Sequence, residues 1–202
     1  MPQAIESAPV IGLFVGGQGK RLGGVSKGNL TFDGAKLLGR LLAACREALP
    51  SSPIVLVGPA QAYAEHGLRA LSDDPAGIGP LGGLRALLRH AESTGAPAAL
   101  ALACDLPHLE AALLRRLGCE SPEADFVAPR DGTLWHTLVA RYGTGALPDV
   151  EATIAAGERA LQRVVQRLGG RAVELPVNPT EHAELRDWDT PEDVAASHAP
   201  KR

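Results

Sequence analysis

One stretch constrains the fold of this chain more than any other: Ala98–Cys104, an unbroken apolar run of strand length that ends directly on Asp105. A strand with water on one face alternates apolar and polar residues, whereas a strand covered on both faces is apolar throughout. The run therefore calls for a sheet with helices on both sides. The surrounding sequence supplies such a rhythm. Strand-like Val10–Val15, Pro53–Val57, Phe126–Ala128, Trp135–Ala140 and Ala172–Leu175 alternate with helical patterns. These helices are read over Leu37–Leu49, Ala60–Leu71, Leu84–Ala91 (opened by Gly82 and Gly83), His108–Leu117, Val150–Ala156, Arg159–Leu168 and Pro191–Ala196. Alternating strands and helices form βαβ units around a mainly parallel sheet. Ligands of such sheets sit beyond the carboxyl ends of the strands. That rule selects the loop after Val15, the loop after Leu71 and the residues after Ala103.

The loop after Val15 is the richest in chemistry. Between Gly16 and Lys27 it carries five glycines and three cations, Lys20, Arg21 and Lys27, with no acid among them. Glycine lets backbone approach a ligand closely, and successive free N–H groups form an anion-binding concavity. A polyphosphate is the natural guest. The spacing fits neither a Walker A loop, since Lys27 follows Ser26 and Lys20 precedes Arg21, nor a dinucleotide fingerprint, since Leu22 stands where the third glycine belongs. A loop that stays irregular as far as Lys27 suits a triphosphate.

The acids divide into three groups. Asp105, at the end of the most apolar strand, reads equally well as a Mg²⁺ ligand or as the cap of the following helix. Asp73 and Asp74 open a Gly/Pro-rich loop through Pro80, which reads either as closing on a base or ribose or as a solvated turn. Asp187 and Asp189 precede Thr190-Pro191, where helix capping by Thr190 or Asp189 is the favoured reading and a role at a second metal or at phosphate the weaker one. His136 reads as structural.

Composition excludes several classes. A net charge of −3 and 3% aromatic residues disfavour a nucleic-acid binder or a base-stacking platform. The odd set Cys45, Cys104 and Cys119 forms neither a disulfide framework nor a zinc motif, and free thiols suit a reducing, cytoplasmic compartment. Met1–Pro9 does not read as a secretory signal and no apolar run reaches membrane-spanning length. The 202 residues are expected to form one domain, frayed over 1–9 and 197–202.

Phe14-Val15-Gly16-Gly17-x-Gly19-x-Arg21-Leu22-Gly23-Gly24-x-x-Lys27 resembles the signature L-A-G-G-x-G-x-R-M-G-G-x-x-K of nucleotidyltransferases. Asp74-Pro75, Gly79-Pro80-Leu81-Gly82-Gly83, Cys104-Asp105-Leu106-Pro107, Gly157-Glu158-Arg159 and Asp189-Thr190-Pro191-Glu192-Asp193 are similar to the molybdenum cofactor guanylyltransferase group. The likeness runs in order along almost the whole chain. It implies a Rossmann-like three-layer α/β sandwich of the nucleotide-diphospho-sugar transferase type. It also implies transfer of GMP from GTP to molybdopterin with Mg²⁺ as cofactor, and transient contact with other cofactor-biosynthesis proteins or molybdoenzymes. By the same resemblance Phe14, Val15, Gly16, Gly17, Gly19, Lys27, Asp74 and Asp105 bind the nucleotide. Asp105 holds the metal, and Arg21, Lys27 and Asp105 carry the catalysis. The chain departs from the pattern at Phe14-Val15 (usually Leu-Ala), at Gly34-Ala35-Lys36 (usually Gly-Lys-Pro), and at Asp189 (often Asn). It also departs at Gly58, where a polar base contact is expected. A CTP-dependent relative, a sugar-phosphate nucleotidyltransferase and a non-catalytic nucleotide-binding regulator are the competing readings.

Overall fold

The structure is a computed structural model and describes residues 8–16 and 26–188. The chain opens with β1 (Val10–Phe14). A small hairpin follows, β2 (Thr31–Phe32) and β3 (Ala35–Lys36), and then α1 (Leu37–Ala48), β4 (Ile54–Val57), β5 (Ala70–Leu71), α2 (Pro80–Ser93) and β6 (Ala98–Ala103). Next come α3 (Ala111–Cys119), β7 (Phe126–Ala128), a second hairpin of β8 (Arg130–Asp131) and β9 (Leu134–Trp135), and β10 (Val139–Gly143). The described chain closes with α4 (Leu147–Ala155), α5 (Leu161–Leu168), β11 (Ala172–Glu174) and α6 (Pro179–Glu184).

Seven strands form one sheet in the order β11-β7-β10-β6-β1-β4-β5. Every neighbouring pair is parallel except the two that involve β10, which runs antiparallel to both β6 and β7. The α/β sandwich with a mainly parallel sheet is thus as the sequence implies. The period-two alternation of β1 and β6 sorts their side chains into two cores. Ile11, Leu13, Leu100 and Leu102 join the core under α1 and α3, and Val10, Phe14, Ala99 and Ala101 join the core under α2, α4 and α5. The middle of the second face, at Gly12, Ala99 and Ala101, is built of small residues because α2 lies close to it. A Cβ on Gly12 would stand 2.5 Å from Leu87 Cδ2, so glycine is what admits the helix at that point.

Several local expectations change. Residues 60–71 are not one helix: a 3-10 turn, Gln61–His66, ends on Gly67 in the left-handed region at φ 63°, and β5 follows. Glycine is favoured in that conformation, and the chain there turns back to pair with β4. The expected strand 135–140 is split, because residues 136–138 form the link between the β8–β9 hairpin and β10. The third helix starts at Ala111 with Glu110 as its N-cap, so Asp105 is not the cap of that helix. The sequence reading overlooked α6, although its signal is present. Asn178 accepts from the Thr180 and Glu181 backbone N–H groups, and the Glu181 carboxylate accepts from the Asn178 N–H in return. Pro179 at the first helical position completes that start signal. The expected helix Pro191–Ala196 lies outside the described residues.

Candidate active site

Along the sheet the chain moves outward from β1 to β4 and β5, then returns to place β6 on the other side of β1. At such a reversal the loops leaving β1 and β6 diverge and open a crevice at their carboxyl ends. Phe14 is paired with Ala103 at the last rung, so Gly16 and the Cys104-Asp105 pair emerge side by side. A cavity of about 230 Å³ lies there, bordered by Phe14, Gly16, Lys27, Asp73, Gly79 and Asp105, among others.

Lys27 and Asp105 meet in this cavity, 78 residues apart in the chain. Lys27 Nζ donates to Asp105 Oδ2 at 2.7 Å, and each side chain is only 14% exposed. Lys27 sits on a short 3-10 turn, Lys27–Asn29, whose Gly28 N–H donates to the Tyr63 hydroxyl at 3.1 Å. Asp105 is fixed from the far end of the chain, since its carbonyl accepts from Trp188 N–H at 3.0 Å. Burial, seconded by the Asp105 charge, pushes the Cys104 thiol up to about 12, so it is no nucleophile near neutral pH.

The two adjacent carboxylates of the next loop separate. Asp73 borders the cleft, and burial raises its pKa above the ordinary value. Asp74 turns to the outside of α2, where it accepts from Arg85 Nη1 at 3.2 Å and Arg89 Nη1 at 2.7 Å. Glu151 of α4 accepts from the same two arginines. The loop can fold back over the start of α2 because of two glycines. A Cβ on Gly82 would lie 2.5 Å from the Pro75 carbonyl, and one on Gly83 would lie 2.9 Å from Phe14 Cε1 and 3.3 Å from Asp73 Oδ1. Gly79 and Pro80 border the cleft, so the amino end of the 14-residue α2, the positive end of its dipole, faces any anion there.

Phe14 and Gly16 therefore line the cleft, whereas the Val15 side chain is buried in the core beneath α1 and only its backbone lies near the opening. Gly17, Gly19, Arg21 and Asp189 lie outside the described residues. On the other side of Asp105 a second cavity, about 280 Å³, is bordered by His136, Thr137, Leu138 and Asp187. His136 Nε2 is 2.9 Å from Asp131 Oδ2, and His182 Nε2 is 2.7 Å from Asp131 Oδ1, so the β8–β9 hairpin is tied to α6. Among the described residues no three His, Cys, Asp or Glu side chains gather as a self-sufficient metal site. Mg²⁺ does not need one, because it takes one or two carboxylates and completes its shell with phosphate and water. Asp105 and Asp187, bordering one cavity, are hard oxygen donors of that kind.

Residues 12–173 match the family described as MobA-like NTP transferase domain. The chain belongs to that family. It is a nucleotidyltransferase, and the cleft lies within the matched region. A molybdenum cofactor guanylyltransferase of Pseudomonas fluorescens (strain SBW25) is 32% identical over 188 residues, covering 90% of this chain and 92% of that protein. Among solved structures, molybdopterin-guanine dinucleotide biosynthesis protein A from Archaeoglobus fulgidus superposes with a TM-score of 0.73 at 24% identity, covering 93% of this chain and 95% of its own. The 2-C-methyl-D-erythritol 4-phosphate cytidylyltransferase of Thermus thermophilus shares the fold with a TM-score of 0.66 at 16% identity, covering 95% and 97% of the two chains. Among the described residues no helix is long and apolar enough to cross a membrane.

The resemblance put Asp74 among the nucleotide-binding residues, whereas in the structure Asp73 borders the cleft and Asp74 is held by Arg85 and Arg89; Tyr63 was given no role. The Tyr63 signal was weak: a tyrosine in a segment read as an ordinary helix. The Asp73 signal was absent from the sequence: only the packing of the loop on α2 brings Asp74, and not Asp73, to Arg85 and Arg89.

Proposed function

We propose that this nucleotidyltransferase transfers GMP from GTP to the terminal phosphate of molybdopterin, giving molybdopterin guanine dinucleotide and pyrophosphate. The observation that carries the reading is the pairing of Lys27 with Asp105 at the crevice between β1 and β6, facing the amino end of α2. The site thereby sets a fixed positive charge beside the Asp105 carboxylate where a triphosphate would lie. The names of the curated relatives support guanylyl transfer in particular.

In this reading an oxygen of the acceptor phosphate forms a bond to the α-phosphorus of GTP as the bond from α-phosphorus to the bridging oxygen breaks. The electron pair leaves with pyrophosphate. The nucleophile is already ionised, so the site needs charge neutralisation and alignment more than a base. Lys27, together with Arg21, offsets charge on the transferring and leaving phosphates. Gly16, Gly17 and Gly19 are the residues whose backbone the resemblance gives to nucleotide binding. Asp105, joined by Asp187 from the neighbouring cavity, would hold Mg²⁺, which supplies positive charge at the α-phosphate. Of the two loop carboxylates, Asp73 is the one beside the nucleoside. Guanine presents two adjacent donors, N1–H and the 2-amino group, to a carboxylate. Cytosine presents one amino group beside an acceptor. An ionised Asp73 therefore favours GTP.

A thermal-shift panel with Mg²⁺ and each of GTP, CTP, ATP and UTP tests the base. A ligand at 100 times its dissociation constant adds about 2.7 kcal/mol of stability. Selective stabilisation by GTP, followed by pyrophosphate release on addition of molybdopterin, is expected. Selective stabilisation by CTP would overturn the base assignment, and nucleotide binding with no pyrophosphate released would overturn the acceptor.

A further inference from the structure

Tyr63 is 1% exposed, yet its hydroxyl is not spent on the core that surrounds its ring. The 3-10 turn that carries it leaves helical backbone values at this one residue, φ −130° and ψ 18°, and the side chain passes inward beneath the Lys27 turn. There the hydroxyl accepts from the Gly28 N–H at 3.1 Å and is hydrogen-bonded to the Ser26 side chain. Both neighbours of Lys27 in the chain are thus held by one oxygen. The contact requires glycine at position 28, because a Cβ there would lie 3.0 Å from Tyr63 Cε1, 3.1 Å from its hydroxyl and 3.2 Å from Leu38 Cβ. A second tether runs alongside, from Asn29 Nδ2 to the Ala62 carbonyl at 3.2 Å.

We propose that Tyr63 is a positioning residue for Lys27, which holds the ammonium toward the phosphates through Ser26 and Gly28 and touches no substrate itself. The inference rests on the phosphate role of Lys27 given above. Its physical basis is the lysine side chain, a compact charge on a flexible four-carbon stem. Fixing the backbone from which the stem departs lowers the ordering cost of placing that charge on a ligand. A ring without the hydroxyl would fill the same space in the core but would take from the buried Gly28 N–H its oxygen acceptor, leaving it only the weaker Cys104 sulfur.

The dissociation constant of GTP with Mg²⁺, measured by titration calorimetry, is compared for wild type, Tyr63→Phe, Lys27→Met and the double variant, with guanosine as the phosphate-free control. CTP and cytidine take their place should wild type select CTP. Tyr63→Phe is expected to weaken GTP about tenfold, the scale of one hydrogen bond. It should leave guanosine affinity unchanged and add nothing in the Lys27→Met background. Gly28→Ala, which drives a methyl group against the same hydroxyl, should reproduce the loss. Triphosphate affinity within twofold of wild type for Tyr63→Phe, an equal loss for the nucleoside, or a tenfold loss added to that of Lys27→Met would each overturn the proposal and leave the phosphate role of Lys27 intact. Lys27→Met binding GTP as tightly as wild type would overturn that role and this inference with it.

Discussion

Two ion-paired clusters lie near the amino half of α2, and they are built from the same residue types. In the cleft, among the described residues, Lys27 pairs with Asp105, each 14% exposed, and the carboxylate borders two cavities. The outer cluster, Asp74, Glu151, Arg85 and Arg89, is a closed ring of two carboxylates and two guanidiniums in which each carboxylate meets both arginines. Three of its four side chains are 42–45% exposed. In the outer ring water and salt screen the charges, so each pair contributes little. It is satisfied without a ligand and serves to staple the 73–74 loop and α4 to α2. In the cleft the surroundings are less polarisable, the interaction is stronger, and loss of one partner leaves a charge poorly solvated. Environment, not residue type, distinguishes a pair that borders a cleft from one that fastens the surface.

The largest expected effect breaks the comparison at the cleft. Lys27→Met or Asp105→Asn should lower turnover by roughly 10²–10³, on the scale of losing one charge-stabilising group. Circular dichroism should stay close to wild type, while the melting temperature falls because the remaining charge is left poorly solvated. Wild-type turnover in either variant would reduce the cleft pair to a fastening like the outer ring.

Gly83 tests whether close approach of α2 builds the cleft floor. A Cβ there would stand 2.7 Å from Val57 Cγ1 and 2.9 Å from Phe14 Cε1. Gly83→Ala should therefore destabilise the protein by about 1–3 kcal/mol in urea unfolding. An unchanged midpoint would mean that the helix can retreat freely.

The adjacent carboxylates sharpen the comparison. Asp73→Asn should weaken GTP about tenfold and erode its preference over CTP, whereas Asp74→Asn should leave both within about twofold. The sign of the pH effect follows from the ionised form being the acceptor. Burial raises the Asp73 pKa above its ordinary value, so guanosine affinity should fall on acidification at a higher pH than for a free aspartate. The fall should be absent in Asp73→Asn, and persistence there would assign the titration to another group. The smallest effect belongs to the outer ring: Arg89→Gln should cost no more than about 1 kcal/mol, less at high salt, with nucleotide affinity unaltered.

The sheet and most of its helices were legible because their signals are local. Leu84, Leu87, Leu88 and Ala91 share one face of α2, and all four are buried against the sheet. The fully apolar Ala98–Ala103 is buried at every position but the last. Errors clustered where local pattern and tertiary demand diverge. Residues 60–71 have helical spacing, yet β4 needs a parallel neighbour at the sheet edge, and the left-handed Gly67 lets the chain provide it. The antiparallel direction of β10 has no signature within Val139–Gly143, whose five residues are buried like those of β1.

The sequence by itself determined the layered α/β architecture, the position of the glycine-rich loop at the end of β1 and the placing of Asp105 at the end of β6. Periodicity and glycine chemistry are short-range properties, and strand ends follow from them. Only the tertiary structure decided that Lys27 reaches Asp105, that Asp73 faces the cleft while Asp74 is drawn away by Arg85 and Arg89, and that Tyr63 holds the turn beneath the lysine. Each of those outcomes is a competition among groups distant in the chain. Close packing, admitted at Gly28, Gly82 and Gly83, resolves the competition by leaving room for one arrangement.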